Sequence, residues 1–376
     1  MTTLLLTLVS LSLVLWVVTL CLPWRPWWNG QTLESDRRGS SPLDELTVLI
    51  PARNEADVIS QTLGALVDQG SGLRVILVDD GSTDGTADVA RTVSGLSLQI
   101  LSGVPLPNGW SGKLWALEQG IQQVETTYTL LLDADILLGD GMAARLLDKA
   151  KSDGRQFVSI MASLRMRSFW EKLLMPAFIY FFKLLYPFEM ANSANRRFFA
   201  AAGGCILLET RLIREIGGFA SIRGALIDDC ALAKRVKSLG ARLWVGQSRS
   251  VISLREYNEL ETIWDMVART AFTQLRYSAV LLAFCTALMV MAFWIPVIGL
   301  LCKDIQLFQI ASLAFLGMAM TYLPTLRYYG LSNAWILALP VTASLYLAMT
   351  WSSALRFWRG ERSRWKSRVY ATETES

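Results

Sequence analysis

The chain has 376 residues, 52% of them apolar, with 14 tryptophans and a net charge of +4 carried by scattered residues. This is greasier than an ordinary soluble domain, and no basic run is interleaved with aromatics, so nucleic-acid binding has little support. The chain contains no histidine, which removes His triads and His metal ligands, and its five cysteines (Cys21, Cys205, Cys230, Cys285, Cys302) show no CxxC spacing, which argues against a disulfide framework or zinc site.

In chain order, Thr3 to Leu22 is a stretch of 20 residues without a charge, about the length that crosses the hydrocarbon core as a helix. It lacks the basic start and small-residue cleavage site of a signal peptide, so residues 1–24 read as a retained anchor. Residues 25–45 are a linker. From Leu46 the chain alternates β-rich runs with helical patterns: strands "LTVLI" (46–50), "LRVILVDD" (73–80), "LSLQIL" (96–101) and "YTLLLDAD" (128–135) separated by "DVISQTLGALVDQG", "DGTADVARTV" and "KLWALEQGIQQV". The alternation predicts an α/β domain of parallel strands covered by helices on both faces. Ligands of such sheets lie beyond the carboxyl ends of the strands. That is where Asp79 and Asp80 fall, and where Asp133 and Asp135 fall, the latter two on one side of their strand by alternation. Taken alone, "DDGSTDGT" is equally well an ordinary polar turn with Asp84 capping a helix. Two acidic strand ends in one sheet point further, because carboxylates on one rim repel unless a cation joins them. Oxygen ligands suit Mg²⁺ or Mn²⁺, which adds substrate phosphates to its shell, so the implied ligand is a nucleoside diphosphate.

These residues, in this order, resemble the family 2 glycosyltransferases of GT-A fold (nucleotide-diphospho-sugar transferase, Rossmann-like). The resemblance rests on "VLIPARNE" (48–55), "VDDGSTDGT" (78–86), "GKLWALEQG" (112–120), "LLLDADI" (130–136, the DxD segment), "AAGGCILLETRLIREIGGF" (201–219) and "GALIDDCALAKRVKSLG" (224–240). The spacer "PLPNGWSGKLWAL" and the flanking apolar stretches look most like the hopene-associated subgroup. The resemblance implies that Pro51, Arg53, Glu55, Asp79 and Asp80 hold the nucleotide, that Lys113 meets the diphosphate, and that Asp135 ligates the metal while Asp133 reaches ribose, sugar or metal. It also implies that Asp229 is the general base, with Asp228 beside it raising its pKa. The plainer alternatives are a surface lysine at 113 and two acids that merely start a helix at 228 and 229. One base without a second nucleophile implies inversion at the sugar carbon. Processive members carry Gln/Arg-x-x-Arg-Trp after the base, whereas "TQLRY" (273–277) has Thr273 and Tyr277 around Arg276. A single transfer is implied, with Arg276 and Tyr277 as diphosphate or acceptor contacts.

The rest of the chain points to a bilayer. Segments 168–190 and 257–276, the latter placing Leu260, Ile263, Trp264, Val267 and Ala271 on one helical face, read either as interfacial elements or as packing of the domain's own core. Ser278 to Cys302, Ile305 to Leu323 and Leu331 to Leu355 contain no Asp, Glu, Lys or Arg between Ile305 and Leu323 or in the other stretches before Lys303 and Arg356, and read as two to three spans over 278–355, with a basic tail at 356–376. Arg25, Arg37 and Arg38 place the GT-A domain (46–277) in the cytoplasm by the positive-inside tendency, and the tail residues Arg356, Arg359, Arg362, Arg364, Lys366 and Arg368 place the C-terminus there too. Three complete crossings conflict with that, so either one segment, such as that containing Pro340, is re-entrant or interfacial, or the tail breaks the tendency. The reading is a multi-pass inner-membrane enzyme moving sugar from a nucleotide sugar, UDP-linked, to a lipid such as a hopanoid, ceramide, diacylglycerol or polyprenyl phosphate, with no obligate protein partner implied. A nucleotidyltransferase would carry a glycine-rich phosphate loop where "PARNEADV" stands, and a non-catalytic scaffold would have lost the motif acids.

Overall fold

The computed structural model describes residues 2–35, 42–361, 364–365 and 368–369; Arg37, Arg38, Arg362 and Lys366 lie outside the described residues. In chain order, α1 (Thr2–Cys21) precedes β1 (Leu46–Ala52), α2 (Ala56–Val67), β2 (Arg74–Asp79), α3 (Thr86–Arg91), β3 (Ser97–Ser102), α4 (Gly112–Ile121) and β4 (Tyr128–Leu132). Next come β5 (Ile136–Leu138), α5 (Met142–Ser152), β6 (Phe157–Ser163), α6 (Phe169–Leu185), α7 (Phe188–Asn192), β7 (Cys205–Glu209), α8 (Thr210–Glu215), α9 (Asp228–Ser238) and β8 (Leu243–Ser253). The last helices are α10 (Leu260–Ala268), α11 (Ala271–Gln274), α12 (Ala279–Met289), α13 (Ile295–Leu300), α14 (Ile305–Tyr328) and α15 (Leu339–Trp358), before two short strands, β9 (Arg364–Trp365) and β10 (Arg368–Val369). The chain forms two compact units, one of Gln31–Arg165, Met190–Glu256 and Arg362–Ser376, the other of Met1–Gly30, Met166–Glu189 and Tyr257–Glu361.

The first unit is built on an eight-stranded sheet of order β3-β2-β1-β4-β7-β6-β8-β5. Alternation divides its strands between two cores. Val48, Ile50, Val75, Leu77, Leu130 and Leu132 face one way, against Ile59, Leu63 and Leu66 of α2 and Met142, Leu146 and Leu147 of α5. Leu49, Ile76, Val78 and Leu131 face the other, against Leu114, Leu117 and Ile121 of α4 and Leu232 and Val236 of α9. Burial on both faces explains why β1 and β4 read as continuous apolar runs, each such side chain being worth roughly 1.5–3 kcal/mol.

Two expectations need correction. The sheet is mixed, not all parallel: β3, β2, β1 and β4 pair in parallel, as do β6 and β8, but β7 runs antiparallel to β4 and β6, and β5 antiparallel to β8. The strand that was to include the DxD acids stops at Leu132, and the Ile136 N–H donates to the Asp133 carbonyl at 3.0 Å. Asp133, Ala134 and Asp135 therefore form a turn, in which strand alternation no longer sets the direction of the side chains.

In the second unit, four helical stretches among the described residues are long and apolar enough to cross a membrane: Thr3–Cys21, Ala279–Leu300, Ile305–Tyr328 and Asn333–Trp358. A π-helical turn, Val290–Trp294, joins α12 to α13, and a 3₁₀ segment, Asn333–Ala338, precedes α15. Small residues allow close packing, which drives helix association in lipid: a Cβ on Gly317 would stand 2.8 Å from Trp16 Cβ, and one on Gly299 would stand 2.7 Å from Ala311 Cβ. Helix α6 opens with a capping box in which Ser168 and Glu171 satisfy each other's backbone, and the buried Glu171 also accepts from the Tyr257 N–H at 2.9 Å. The Tyr180 and Thr321 hydroxyls bond at 2.8 Å, and Tyr346 donates to the Leu174 carbonyl, so α6 is held against α14 and α15 by buried polar contacts. The amphipathic stretch after residue 257 is not one helix: α10 ends at Ala268 and α11 restarts at Ala271.

Candidate active site

The carboxyl ends of β1 and β2 carry two loops laced by side chains. Asn54, with φ of 51°, accepts from the Thr83 N–H on its Oδ1 (2.9 Å), and its own N–H donates to Ser82 Oγ (3.0 Å). Asp84 accepts from the N–H groups of Ala56 and Thr86, both at 3.0 Å, and Asp79 Oδ1 accepts from the Ser82 N–H at 3.1 Å. Asp84 and Asp79 thus do the work of an ordinary polar turn, as the plainer reading had it. Asp80 is different: it is buried, its N–H donates to the Ala52 carbonyl, and Arg53 lies over it, bonding the Asp80 carbonyl and standing 3.8 Å from Oδ2.

The center of the rim is formed by α4, the β4–β5 turn and α9. Ser111 caps α4 by accepting from the Leu114 N–H at 3.3 Å, which sets Lys113 in the first turn, over the sheet. Lys113 Nζ lies 2.6 Å from Asp133 Oδ1 and 3.8 Å from Asp228 Oδ2. Burial alone would lower the pKa of Lys113, but Asp133 and Asp228 outweigh it and hold the ammonium charged well above the ordinary lysine value. The sequence alternative of a surface lysine does not describe this geometry. Burial raises the Asp133 carboxyl above the aspartate range, opposed by Lys113 and reinforced by Asp135.

Asp228 and Asp229 form the first turn of α9, and Asp229 Oδ1 accepts from the Cys230 N–H at 2.6 Å. Both acids therefore also start a helix. The Asp229 carboxyl is pushed up to about 7, first by burial and second by Asp228. The sequence reading credited the neighbor; the larger cause is removal from water. Gly203 borders this acid so closely that a Cβ there would stand 3.3 Å from Oδ2. Pro51, Lys113, Asp133, Gly203, Asp228 and Asp229 line a single cavity, with Phe219 and Ile222 on its apolar side. Glu118 of α4 shapes that side by accepting from the Phe219 N–H at 2.6 Å.

Asp135 and Glu55 are joined by a residue that sequence reasoning missed. Arg255 Nε lies 2.8 Å from Asp135 Oδ2, and Nη2 lies 3.2 Å from Glu55 Oε1. The signal was out of reach because it depends on β5 pairing with β8, which brings Leu254 N–H to within 2.8 Å of the Asp135 carbonyl. Arg276 and Tyr277 belong to the other unit, where the Tyr277 ring stacks on Phe357 at 4.4 Å.

The donor chemistry at the DxD turn fits a hard cation: two carboxylates, in a chain without histidine. Among the described residues no cluster of three or more ligand-type side chains occurs. An ion such as Mg²⁺ or Mn²⁺, which usually takes one or two carboxylates plus phosphate oxygens and water, suits that set.

Four parallel strands ending at a lysine-paired DxD turn, the antiparallel β7 and an acid pair at a helix start give this unit the fold of the GT-A nucleotide-diphospho-sugar transferases. Residues 47–217 match the family described as glycosyl transferase family 2. That match lies mostly within the sheet-bearing unit and supports a glycosyltransferase. Over 91 residues it is 36% identical to the 4,4'-diaponeurosporenoate glycosyltransferase of Staphylococcus aureus (strain USA300), covering 24% of each chain. The chain thus spans about a quarter of the length of the curated relatives it matches. A mannosyltransferase from Pyrobaculum calidifontis, solved with GDP-Man and Mn²⁺, shares the fold with a TM-score of 0.57 at 18% identity, over 94% of this chain and 99% of that one.

Proposed function

We propose that this protein is a membrane-anchored, inverting glycosyltransferase that moves one sugar from a nucleoside-diphosphate sugar, a UDP-sugar first, to the hydroxyl of a lipid. The observation that carries this reading is the placement of Lys113 between Asp133 and Asp228, with Asp229 in the same cavity, on a family 2 domain. Four apolar helices in the same chain favor an acceptor that arrives from a bilayer. The hopanoid reading rests on the sequence resemblance; the name of the Staphylococcus aureus relative supports a long apolar acceptor more generally, and ceramide, diacylglycerol and polyprenyl phosphate belong to the same class of test.

In this mechanism Pro51, Arg53, Glu55, Asp79 and Asp80 shape the nucleotide side of the rim. Lys113, held protonated, turns its charge to the diphosphate. Asp133 and Asp135 hold Mg²⁺ or Mn²⁺, whose chemistry is to neutralize charge on a departing diphosphate. Asp229 accepts the proton of the acceptor hydroxyl as that oxygen bonds to the sugar carbon. The bond from sugar carbon to phosphate oxygen breaks, its electron pair leaves with the nucleoside diphosphate, and displacement from the opposite face inverts the carbon. Apolar Phe219 and Ile222 keep water from competing with the acceptor. Arg276 and Tyr277 are proposed contacts to diphosphate or acceptor, and the catalytic unit is proposed to be cytoplasmic.

The test is incubation of the detergent-purified chain with a panel of radiolabeled nucleotide sugars, extracted membrane lipid and Mn²⁺ or Mg²⁺. Labeled lipid from one donor is expected; no labeled lipid from any donor, together with no thermal shift on UDP or GDP, overturns the reading.

A further inference from the structure

Arg255 stands where a divalent cation is proposed to bind. Its guanidinium reaches Asp135 Oδ2 at 2.8 Å through Nε and Glu55 Oε1 at 3.2 Å through Nη2. Both carboxylates are nearly out of solvent, at 12% and 13% side-chain exposure, whereas Arg255 is 40% exposed. The acids are thus fixed and the cation lies on the open side. The backbone fixes Asp135 further, through Leu254 N–H on its carbonyl and Ile136 paired with Ser253. Of the three side chains in this contact, Arg255 has the longest stem and the greatest exposure.

We infer that Arg255 is a positioning residue that occupies Asp135 and Glu55 until donor phosphate arrives, so that a divalent cation binds the rim only together with the nucleotide. The inference rests on the metal-dependent transferase reading above. Asp135 and Glu55 face Arg255, while Asp133 and Asp228 face Lys113 in the neighboring cavity that Asp229 also lines. Close like charges disfavor one another, so Asp135 needs a positive partner in every state. Arg255 supplies it before donor binding. A planar guanidinium binds phosphate in the two-pronged manner in which it binds carboxylate, and a diphosphate offers it more negative charge than Asp135 does. Once it turns to phosphate, Asp135 is open to the metal. Without nucleotide, the metal must displace Arg255 from Asp135 with no phosphate to receive it.

This coupling is measurable without turnover, and by linkage it is reciprocal: UDP tightens Mn²⁺ by the factor by which Mn²⁺ tightens UDP. Mn²⁺ binding is measured on the full chain in detergent by the free-ion EPR signal, alone and with UDP or GDP, for wild type, Arg255→Gln and Arg255→Lys. Nucleotide should tighten Mn²⁺ by about five-fold or more in the wild type, the lower end of ordinary coupling between sites. Arg255→Gln should bind Mn²⁺ alone about five-fold tighter than wild type and gain correspondingly less from nucleotide. Arg255→Lys, which keeps the charge but not the fork, should fall between them. If nucleotide tightens Mn²⁺ in the wild type but neither variant binds Mn²⁺ alone more tightly, the inference about Arg255 is wrong and the transferase reading stands. If wild type binds neither Mn²⁺ nor nucleotide, both are overturned.

Discussion

Asp229 shows how a single carboxylate is tuned by position. An exposed aspartate is too weak a base to take a hydroxyl proton effectively near neutrality, and burial with Asp228 alongside raises this one to about 7. Asp229→Asn is expected to reduce transfer by about 100-fold or more while leaving UDP affinity nearly unchanged; transfer near the wild-type rate would show the base to be elsewhere. The wild-type kcat/KM should rise as pH passes upward through about 7, because only the ionized form accepts a proton. Stability has the opposite sign. A carboxyl with a raised folded-state pKa contributes fully below its unfolded value and loses that contribution as pH rises through about 7. Asp229→Asn should therefore gain Tm relative to wild type between pH 5 and about pH 8, and a Tm difference that stays constant with pH would refute the burial argument. Asp79, Asp80, Asp133 and Asp135 were legible because they follow apolar strand runs, and Lys113, Asp228 and Asp229 because their segments resemble those of a known family. Arg255 was not, since nothing near residue 255 announces a partner at 135 or 55.

At the scale of elements, α4 is positioned by a missing side chain. A Cβ on Gly120 would stand 2.3 Å from Leu49 Cδ1 and 2.8 Å from Val78 Cγ2, so the helix lies against β1 and β2 as closely as glycine permits. Gly120→Val should push α4 off the sheet, at a cost of about 1–3 kcal/mol for overpacking. The expected readings are a Tm several degrees lower and weaker UDP binding, because Lys113 rides on the same helix; a variant with wild-type Tm and UDP affinity would reject this packing account. The first half of the sheet was readable because parallel strands buried on both faces leave continuous apolar runs between helical patterns. The second half was not. Strand β7 is five residues long and its partners are set by contacts distant in sequence, so its antiparallel direction has no local signature. The same short range of sequence logic extended the DxD strand by three residues into what is a turn.

At the scale of the whole molecule, helix packing inside the second unit bears on the conflict between a basic tail and three apolar C-terminal stretches. Helix α14 runs back along α13: Trp16 of α1 touches both Phe293 and Gly317, while Val9 lies against both Gly299 and the cluster of Leu307 and Ala311. Helix α15 also runs opposite to α12 and α13, since Trp294 bonds Ser344, Trp351 bonds Thr286, and Leu282 packs on Ala354. Two consecutive helices thus point the same way, and the residues between them must return the chain. Matching 317 to 293 and 344 to 294 separates the end of α14 from the start of α15 by about 24 Å along the bundle at 1.5 Å per residue. Tyr329 and Gly330 close α14 in a turn, with Gly330 at φ 66° and the Leu331 N–H on the Leu326 carbonyl, and the six-residue 3₁₀ segment Asn333–Ala338 carries the chain into α15. The return brings Arg356 to Asp265 at 2.6 Å, so the C-terminal end of α15 stands beside the segment that enters α12. Arg25, just after α1, and Arg356, near the end of α15, then fall toward the same end of the bundle, the arrangement that the positive-inside tendency expects. In a variant whose sole cysteine is Cys302, at the turn between α13 and α14, a membrane-impermeant maleimide should label that residue on intact cells. The same reagent should label an otherwise cysteine-free Arg359→Cys variant only after permeabilization. Labeling of both from the same side would mean that α12 to α15 do not cross as this packing requires.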